Sequence, residues 1–167
     1  MGISYYSIGG KRHSDVPFIG YLMVDSRQKG VRGEYKIRDL LRETTGLKFE
    51  RIPASGALEY LKGDLYVPHE KNRFCIEVKN YEESPLSDKI FTQPKTNNLI
   101  NWWKKLLRQA EGGNQLPLLF FKYNRSEVFV VTHIIPTAAE YMYISSLKCY
   151  VCLAEEWLTL EEPKFLL

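Results

Sequence analysis

Two short runs decide the fold of this chain: Lys-Gly-Asp-Leu-Tyr-Val at residues 62–67 and Phe-Cys-Ile-Glu-Val-Lys at residues 74–79. Both runs are apolar enough for β-strands, and the polar stretch between them predicts a turn. Side chains two apart on a strand share a face, so Glu77 and Lys79 stand side by side. Hairpin pairing of the two strands can bring Asp64 across from them.

These three side chains predict a metal-dependent hydrolytic site. Asp64 and Glu77 would face one small space, and carboxylate oxygens with retained waters are the usual ligands of Mg²⁺. Lys79 beside them can orient or deprotonate a water and neutralise charge that develops on a phosphate. We therefore place the active site at this hairpin.

Composition indicates one intracellular globular domain. The chain has 167 residues, of which 44% are hydrophobic and 26% charged, ordinary values for a soluble protein. We expect no membrane contact and a cytoplasmic location, because no apolar run approaches a membrane span and no leader is apparent. The three cysteines fit a reducing compartment. Cys149 and Cys152 would lie on opposite faces of a strand, which favours buried thiols over a metal pair.

The charge distribution points to a basic surface near the predicted site. The net charge is only +3, but residues 27–51 carry eight Lys and Arg against four Asp and Glu. The last 28 residues, 140–167, are acidic. A basic region beside a hydrolytic site suits nucleic acid, although a solvated helix face explains the charges equally well.

The pattern of apolar residues predicts a mixed β-sheet flanked by helices, an α/β fold. We predict helices at 28–45, ended by Gly46, at 98–111 and at 136–143, and strands at 47–52, 62–67, 74–79, 117–123, 127–132 and around Cys149. The expected organisation is an N-terminal extension (1–26), a catalytic core (27–132) and a C-terminal extension (133–167) packed on the same domain.

Three residues of the first helix stand out. Gly30 and Gly33 are poor helix formers, and they make sense if a phosphate backbone or another strand comes close. Glu34 lies one position from the apolar stripe and can reach inward, although an exposed helical glutamate is the commoner arrangement.

With these motifs in order, the chain resembles the PD-(D/E)xK nuclease superfamily, and within it the archaeal-type Holliday-junction resolvases and their phage-borne relatives. The resemblance covers about residues 27–132. It rests on Lys-Gly-Val-Arg-Gly-Glu (29–34), Arg51 followed by Ala-Ser-Gly (54–56), Gly-Asp-Leu (63–65) and Cys-Ile-Glu-Val-Lys (75–79). It implies a restriction-endonuclease-like core.

The resemblance also implies a Mg²⁺-dependent endonuclease that resolves four-way DNA junctions, with Mn²⁺ able to substitute and no small-molecule cofactor. Asp64, Glu77 and the Val78 backbone carbonyl would bind the metal, Glu34 would act in the outer shell or on a second ion, and Lys79 would position the attacking water. The expected DNA-binding residues are Lys29, Gly30, Arg32, Arg51, Ser55 and, more weakly, Gln109 on the second long helix.

Other interpretations stay open. A restriction-like or repair nuclease would use the same chemistry on other DNA structures, and a non-catalytic DNA-binding module could share the fold. We expect a homodimer, because two symmetric cuts need two sites. Trp102 and Trp103, about 100° apart on a helix, predict an apolar face that a second subunit covers. The alternative is that the C-terminal tail covers it.

Overall fold

A mixed sheet with helices on both faces organises the chain in the computed structural model, which describes residues 26–53 and 61–167. The strands of this part are β1 (Glu50–Arg51), β2 (Leu65–Tyr66), β3 (Phe74–Asn80), β4 (Leu116–Lys122), β5 (Phe129–Thr132), β6 (Met142–Ile144) and β7 (Cys149–Leu153). The helices are α1 (Ser26–Thr45), α2 (Lys89–Thr92), α3 (Asn98–Gly112) and α4 (Ala154–Glu161). The predicted α/β class is confirmed.

The strands lie in the order β1-β2-β3-β4-β5-β7-β6. Only β3 and β4 pair in parallel, and the other described pairs are antiparallel. A parallel pair needs a crossover connection, which α3 supplies. The sheet thereby places β3, with its predicted catalytic residues, in its interior, between the short strand β2 and the long strand β4.

Two apolar clusters cover the two faces of the sheet. One contains Ile37 and Leu41 of α1, Trp157 of α4, and Ile76 and Val78 of β3. The other lies under α3 and contains Cys75, Leu99, Trp103, Leu106 and Phe121. Alternation along β3 therefore assigns Glu77 and Lys79 to the α3 face, with Cys75. Cys149 and Cys152 fall in different clusters and are buried, as the strand pattern predicted.

Several predicted elements form nearly as expected. Helix α1 ends at Gly46, whose φ of +71° suits glycine and whose N–H donates to the Arg42 carbonyl at 2.9 Å. Helix α3 begins after Asn97, which caps it. The first two strands are much shorter than predicted, with two residues each.

The predicted helix at 136–143 is wrong. The Glu161 carboxylate accepts hydrogen bonds from the N–H groups of Thr137, Ala138 and Ala139 at 2.7–2.8 Å. The chain beyond them pairs with β7 as strand β6. Tertiary pairing thus overrides the local helical preference. The apolar pattern also gave no prediction of helix α4, which buries Trp157 and Leu158.

The prediction of an uncovered apolar face on α3 is also wrong. Trp102 and Trp103 are both buried. The Trp103 Nε1–H donates to the Leu147 carbonyl at 3.3 Å, and Ile144 and Cys149 of the C-terminal segment join the same cluster. The tail covers this face within one chain, so α3 gives no reason for a dimer.

In the described residues, no helix is long and apolar enough to cross a membrane.

Candidate active site

Asp64 is held beside β3 by the backbone of that strand. Its N–H donates to the Ile76 carbonyl at 2.6 Å, and its side-chain Oδ2 accepts the N–H of Val78 at 2.7 Å. Gly63 makes this approach possible: its φ is +93°, and a Cβ there would collide with the Ile76 carbonyl oxygen. Because the N–H and C=O of one strand residue point the same way, the Val78 carbonyl also faces Asp64's side of β3.

Glu77 and Lys79 form an ion pair beside Asp64. The Lys79 Nζ donates to the Glu77 Oε1 at 2.5 Å. Glu77 is only 6% exposed, so a buried carboxylate here needs a positive partner. The hairpin therefore assembles two carboxylates and one ammonium group, as the alternation of β3 predicted.

Burial and the neighbouring charges shift the pKa values of Asp64, Lys79 and Cys75. Burial and the Glu77 carboxylate raise the pKa of Asp64 to about 7, although the Val78 N–H and Lys79 act in the opposite direction. Burial lowers the pKa of Lys79, but its ion pair with Glu77 and the charge of Asp64 outweigh burial and raise it overall. Burial, with the charges of Glu77 and Asp64, also raises the pKa of Cys75 to about 12, so this thiol stays protonated.

The donor set suits a hard divalent cation. Negative charge at Asp64 is disfavoured by burial and by Glu77, and a cation between the two carboxylates would relieve both effects. The described residues contain no group of three or more His, Cys, Asp or Glu side chains that could hold a metal. Two carboxylates, one carbonyl and retained waters are nevertheless a normal Mg²⁺ environment.

Glu34 lies near this site but is engaged elsewhere. Its Oε2 accepts the Nε–H of Arg51 at 2.5 Å, and the Arg51 guanidinium lies over the Tyr35 ring, 4.9 Å from its centroid. Burial lowers the pKa of Arg51, but the bonds to Glu34 and Tyr35 more than compensate and raise it. Glu34 contributes to the field at Asp64, so the structure brings it within electrostatic reach.

Two of the predicted DNA-binding residues of α1, Lys29 and Gly30, border the same cavity as Lys79. Lys29 is partly buried, its Nζ donates to the Asn124 Oδ1 at 3.1 Å, and Arg32 is exposed. Gly33 packs against Asn80 of β3, where a Cβ would lie 2.8 Å from the Asn80 Cβ, so a strand explains this glycine. A Cβ on Gly30 would meet nothing within 4 Å, which leaves room for a ligand.

Two other predicted residues stand apart. Ser55 lies outside the described residues. Gln109 is half-buried on α3, and its Oε1 is buried without a hydrogen-bond partner in the described part of the chain. Seven residues after Trp102, it lies on the same side of the helix. A buried acceptor without a donor is costly, so Gln109 stays a candidate for contact with a bound water or ligand.

A cavity of about 680 Å³ opens beside Lys79, and most of its lining was not predicted from the sequence. Its walls come from the start of α1, the end of β3 and the segment 81–98. Buried Asn97 closes the base of that segment, since its Nδ2 donates to the Pro85 carbonyl at 2.9 Å and its Oδ1 accepts the Ile100 N–H. An asparagine directly before an apolar helical run was the available signal for Asn97.

Comparison with known proteins found a matching family, a similar phage protein and a partly similar solved structure. The sequence model of the family described as "Phage putative PDDEXK endonuclease" matches residues 25–152. Protein D14 of Escherichia phage T5 is 43% identical over 112 residues, which cover 64% of this chain and 69% of that protein. A solved structure of Archaeoglobus fulgidus Hjc, a Holliday junction resolvase, aligns with 77% of this chain and 91% of its own, at 16% identity and a TM-score of 0.42. A structural similarity of that size carries no argument about function.

Proposed function

The chain belongs to this phage PDDEXK endonuclease family, and from that premise we propose that it is a metal-dependent endodeoxyribonuclease that resolves four-way DNA junctions. The observation that carries the proposal is the grouping of Asp64, Glu77 and Lys79 at the open end of β3. Such a nuclease has to act where DNA is present inside a cell.

Each residue of the site would have a separate role in phosphodiester hydrolysis. Asp64, Glu77 and the Val78 carbonyl would hold Mg²⁺ or Mn²⁺. When bound, such an ion stabilises charge on the attacking and leaving oxygens of an in-line displacement. Lys79, fixed by Glu77, would orient the attacking water and offset charge on the phosphate. Lys29, Arg32 and Arg51 would position the DNA backbone without reading bases.

The organisation of the described chain favours a structure-selective over a base-reading nuclease. Residues 133–167 add β6, β7 and α4 to the same sheet and core. No separate recognition domain therefore exists within residues 26–53 and 61–167. Without one, contacts to phosphates would select DNA by shape, as expected for a branched substrate.

A second subunit would supply the second cut. The site described here is one per chain, and two-fold dimers are the commonest oligomers. Strand β6 offers a surface for pairing, because it ends the sheet and exposes Met142 and Tyr143. An edge strand with unpaired backbone and apolar side chains is a template for another strand.

Cleavage assays test the proposal. A fixed four-way junction and a hairpin-capped linear duplex of the same sequence are incubated with Mg²⁺, Mn²⁺ or EDTA. We expect paired cuts in the junction with either metal and none with EDTA. Asp64→Asn and Glu77→Gln should abolish cutting while junction binding persists, and Glu155→Gln, an exposed carboxylate on α4, is the matched control.

Two outcomes would contradict the proposal. Equal cutting of duplex and junction would favour a restriction-like or repair nuclease. Binding of DNA without cutting under every metal condition would favour the non-catalytic module.

A further inference from the structure

Tyr81 directly follows β3 and shares a face with residues of the active site. Its N–H donates to the Lys122 carbonyl at 3.0 Å, so the pairing of β3 with β4 continues through this residue. Side chains two apart on an extended strand point the same way, which puts the side chain of Tyr81 on the same face as those of Glu77 and Lys79. The strand thereby places a tyrosine next to the lysine of the site.

The ring of Tyr81 is held by one neighbour and remains accessible. It contacts the Trp102 ring at a centroid distance of 4.6 Å, and Trp102 belongs to the buried cluster under α3. Tyr81 is nevertheless 41% exposed, and it lines the 680 Å³ cavity together with Val78 and Lys79. Packing against Trp102 restricts the rotamers of the ring, so the hydroxyl that it carries is positioned in advance.

The Tyr81 hydroxyl is available to a ligand. Among the residues that the structure describes, none forms a hydrogen bond with it. Burial lowers the pKa of Lys79, the two neighbouring carboxylates raise it, and Tyr81 adds to the rise. The hydroxyl therefore lies within electrostatic reach of the Lys79 ammonium group. Because a phenolic hydroxyl can donate a hydrogen bond, it can bind an anion that lies beside Lys79.

The spacing along β3 fits the backbone of a DNA strand. Side chains two apart on a β-strand are separated by about 6.7 Å, and neighbouring phosphates of one DNA strand are separated by a comparable distance. Tyrosine hydroxyls are among the usual donors to DNA phosphates. A strand whose scissile phosphate lies at Lys79 therefore brings the next phosphate within reach of Tyr81.

We propose that the Tyr81 hydroxyl donates a hydrogen bond to the phosphate next to the one that is cut, and so fixes the register of the DNA strand at the active site. The contact would form when DNA binds and would need no metal ion. It would position the strand without reading its bases. The inference rests on the proposed function, because it takes DNA as the substrate of the site.

A scan of neutral phosphates tests this contact without cutting. Methylphosphonate, in which a methyl group replaces the charged oxygen, is substituted for one phosphate at a time around the branch of the four-way junction. Fluorescence anisotropy in EDTA then measures the affinities of wild type and Tyr81→Phe. We expect Tyr81→Phe to weaken binding of the unmodified junction about tenfold, the effect of one lost hydrogen bond to a charged group.

The scan should also locate the phosphate that Tyr81 contacts. At one position, methylphosphonate should weaken binding by wild type about tenfold more than binding by Tyr81→Phe, because both changes remove the same hydrogen bond. Cleavage by wild type with Mg²⁺ should then map the cut to the neighbouring phosphate. Thermal unfolding should show Tyr81→Phe as stable as wild type, because the hydroxyl has no partner in the described part of the chain.

Two further variants serve as controls. Tyr150→Phe removes the hydroxyl of a half-buried tyrosine on β7, whose ring contacts those of Tyr141 and Tyr143. This variant should bind every junction of the scan like wild type. Tyr81→Leu removes the ring as well as the hydroxyl, and it should bind as weakly as Tyr81→Phe.

Three results would overturn the inference: normal binding by Tyr81→Phe, equal losses in both proteins at every methylphosphonate, or a Tyr81-dependent phosphate that does not neighbour the cut. Normal binding by Tyr81→Phe with weak binding by Tyr81→Leu would assign the contact to the ring instead. If wild type cuts junctions but Tyr81→Phe binds them normally, this inference fails and the proposed function stands. If wild type cuts no DNA yet the scan finds a Tyr81-dependent phosphate, the proposed function fails and the phosphate contact stands.

Discussion

At the scale of single residues, the proposed chemistry depends on Lys79. Its ammonium group is fixed by Glu77 and kept charged by the two carboxylates. We expect Lys79→Met to lower the cleavage rate at saturating junction by at least about 100-fold, the size of one lost electrostatic or proton-transfer contribution. Single-turnover kinetics and anisotropy measure the rate and the affinity separately. If affinity fell while the saturating rate held, Lys79 would be a phosphate anchor.

Arg51 has to combine two roles, since it pairs with Glu34 and is predicted to contact phosphate. Only its Nε is committed to Glu34, with one terminal nitrogen near the Tyr35 hydroxyl at 3.5 Å. Its other N–H groups can reach a phosphate. We expect Arg51→Ala to reduce the slope of log K against log salt for junction binding by about one.

Arg42 provides the matched control for this measurement. Like Arg51 it is paired, but it lies on α1 and is bonded to Glu50 and to the Phe49 carbonyl, and it is not a predicted DNA contact. Arg42→Ala should leave the salt slope unchanged. An equal change of slope in both variants, or none in Arg51→Ala, would contradict a specific phosphate contact by Arg51.

At the scale of elements, the β2–β3 hairpin depends on Gly63. Alanine there would need a positive φ and would bring its Cβ against the Ile76 carbonyl. Because a backbone atom cannot move aside cheaply, we expect Gly63→Ala to lower the free energy of unfolding by more than about 2 kcal/mol. Gly112→Ala, where a Cβ meets nothing, should leave stability unchanged or raise it. Chemical denaturation measures both, and a stable Gly63→Ala would show that the hairpin can shift.

Glu161 links α4 to the segment before β6. Its carboxylate accepts three backbone N–H bonds and the Thr137 hydroxyl, and the bonds from Ala139 and Ala138 chiefly lower its pKa to about 2. Because folding lowers the pKa of Glu161, its ionised carboxylate stabilises the fold at any pH above the ordinary pKa of 4.5. This stabilisation is lost as the pH falls toward 2. We expect Glu161→Gln to lower the unfolding temperature at pH 7.

The difference in unfolding temperature between wild type and Glu161→Gln should become smaller between pH 5 and pH 3, as measured by differential scanning fluorimetry. Glu155→Gln, an exposed residue of the same helix, serves as the control with no such pH dependence. If this difference in unfolding temperature stays constant over the range, the charge of Glu161 does not contribute to stability.

At the scale of the whole molecule, the proposed dimer pairs two copies through the edge strand β6. A lysine on an edge strand opposes pairing, since its charge would be buried against the second strand. We expect Met142→Lys to convert a dimer into a monomer in analytical ultracentrifugation and to replace paired cuts by single nicks. Leu160→Lys on α4 is the control. If the wild-type protein stays monomeric both alone and on the junction, the proposed dimer is wrong.

Local pattern in the sequence was sufficient for much of the fold and for the grouping of Glu77 with Lys79. The alternation of β3 placed Glu77 and Lys79 on one face, and the apolar spacing of α1 and α3 predicted both helices within two residues. These features depend on neighbours along the chain, whose geometry is the same in any fold. The order of the motifs along the chain also indicated the nuclease family, which the match of the family model to residues 25–152 confirms.

Tertiary structure decided the features that depend on residues distant in sequence. The tail became β6 and α4, because Glu161 holds residues 137–139 and β7 pairs with the chain beyond them. The same tail covers Trp103, which the helix alone left without a partner. The Glu34–Arg51 pair and the cavity beside Lys79 arise only where separate elements meet. Spacing along a chain predicts which side chains share a face, but only packing decides what that face meets.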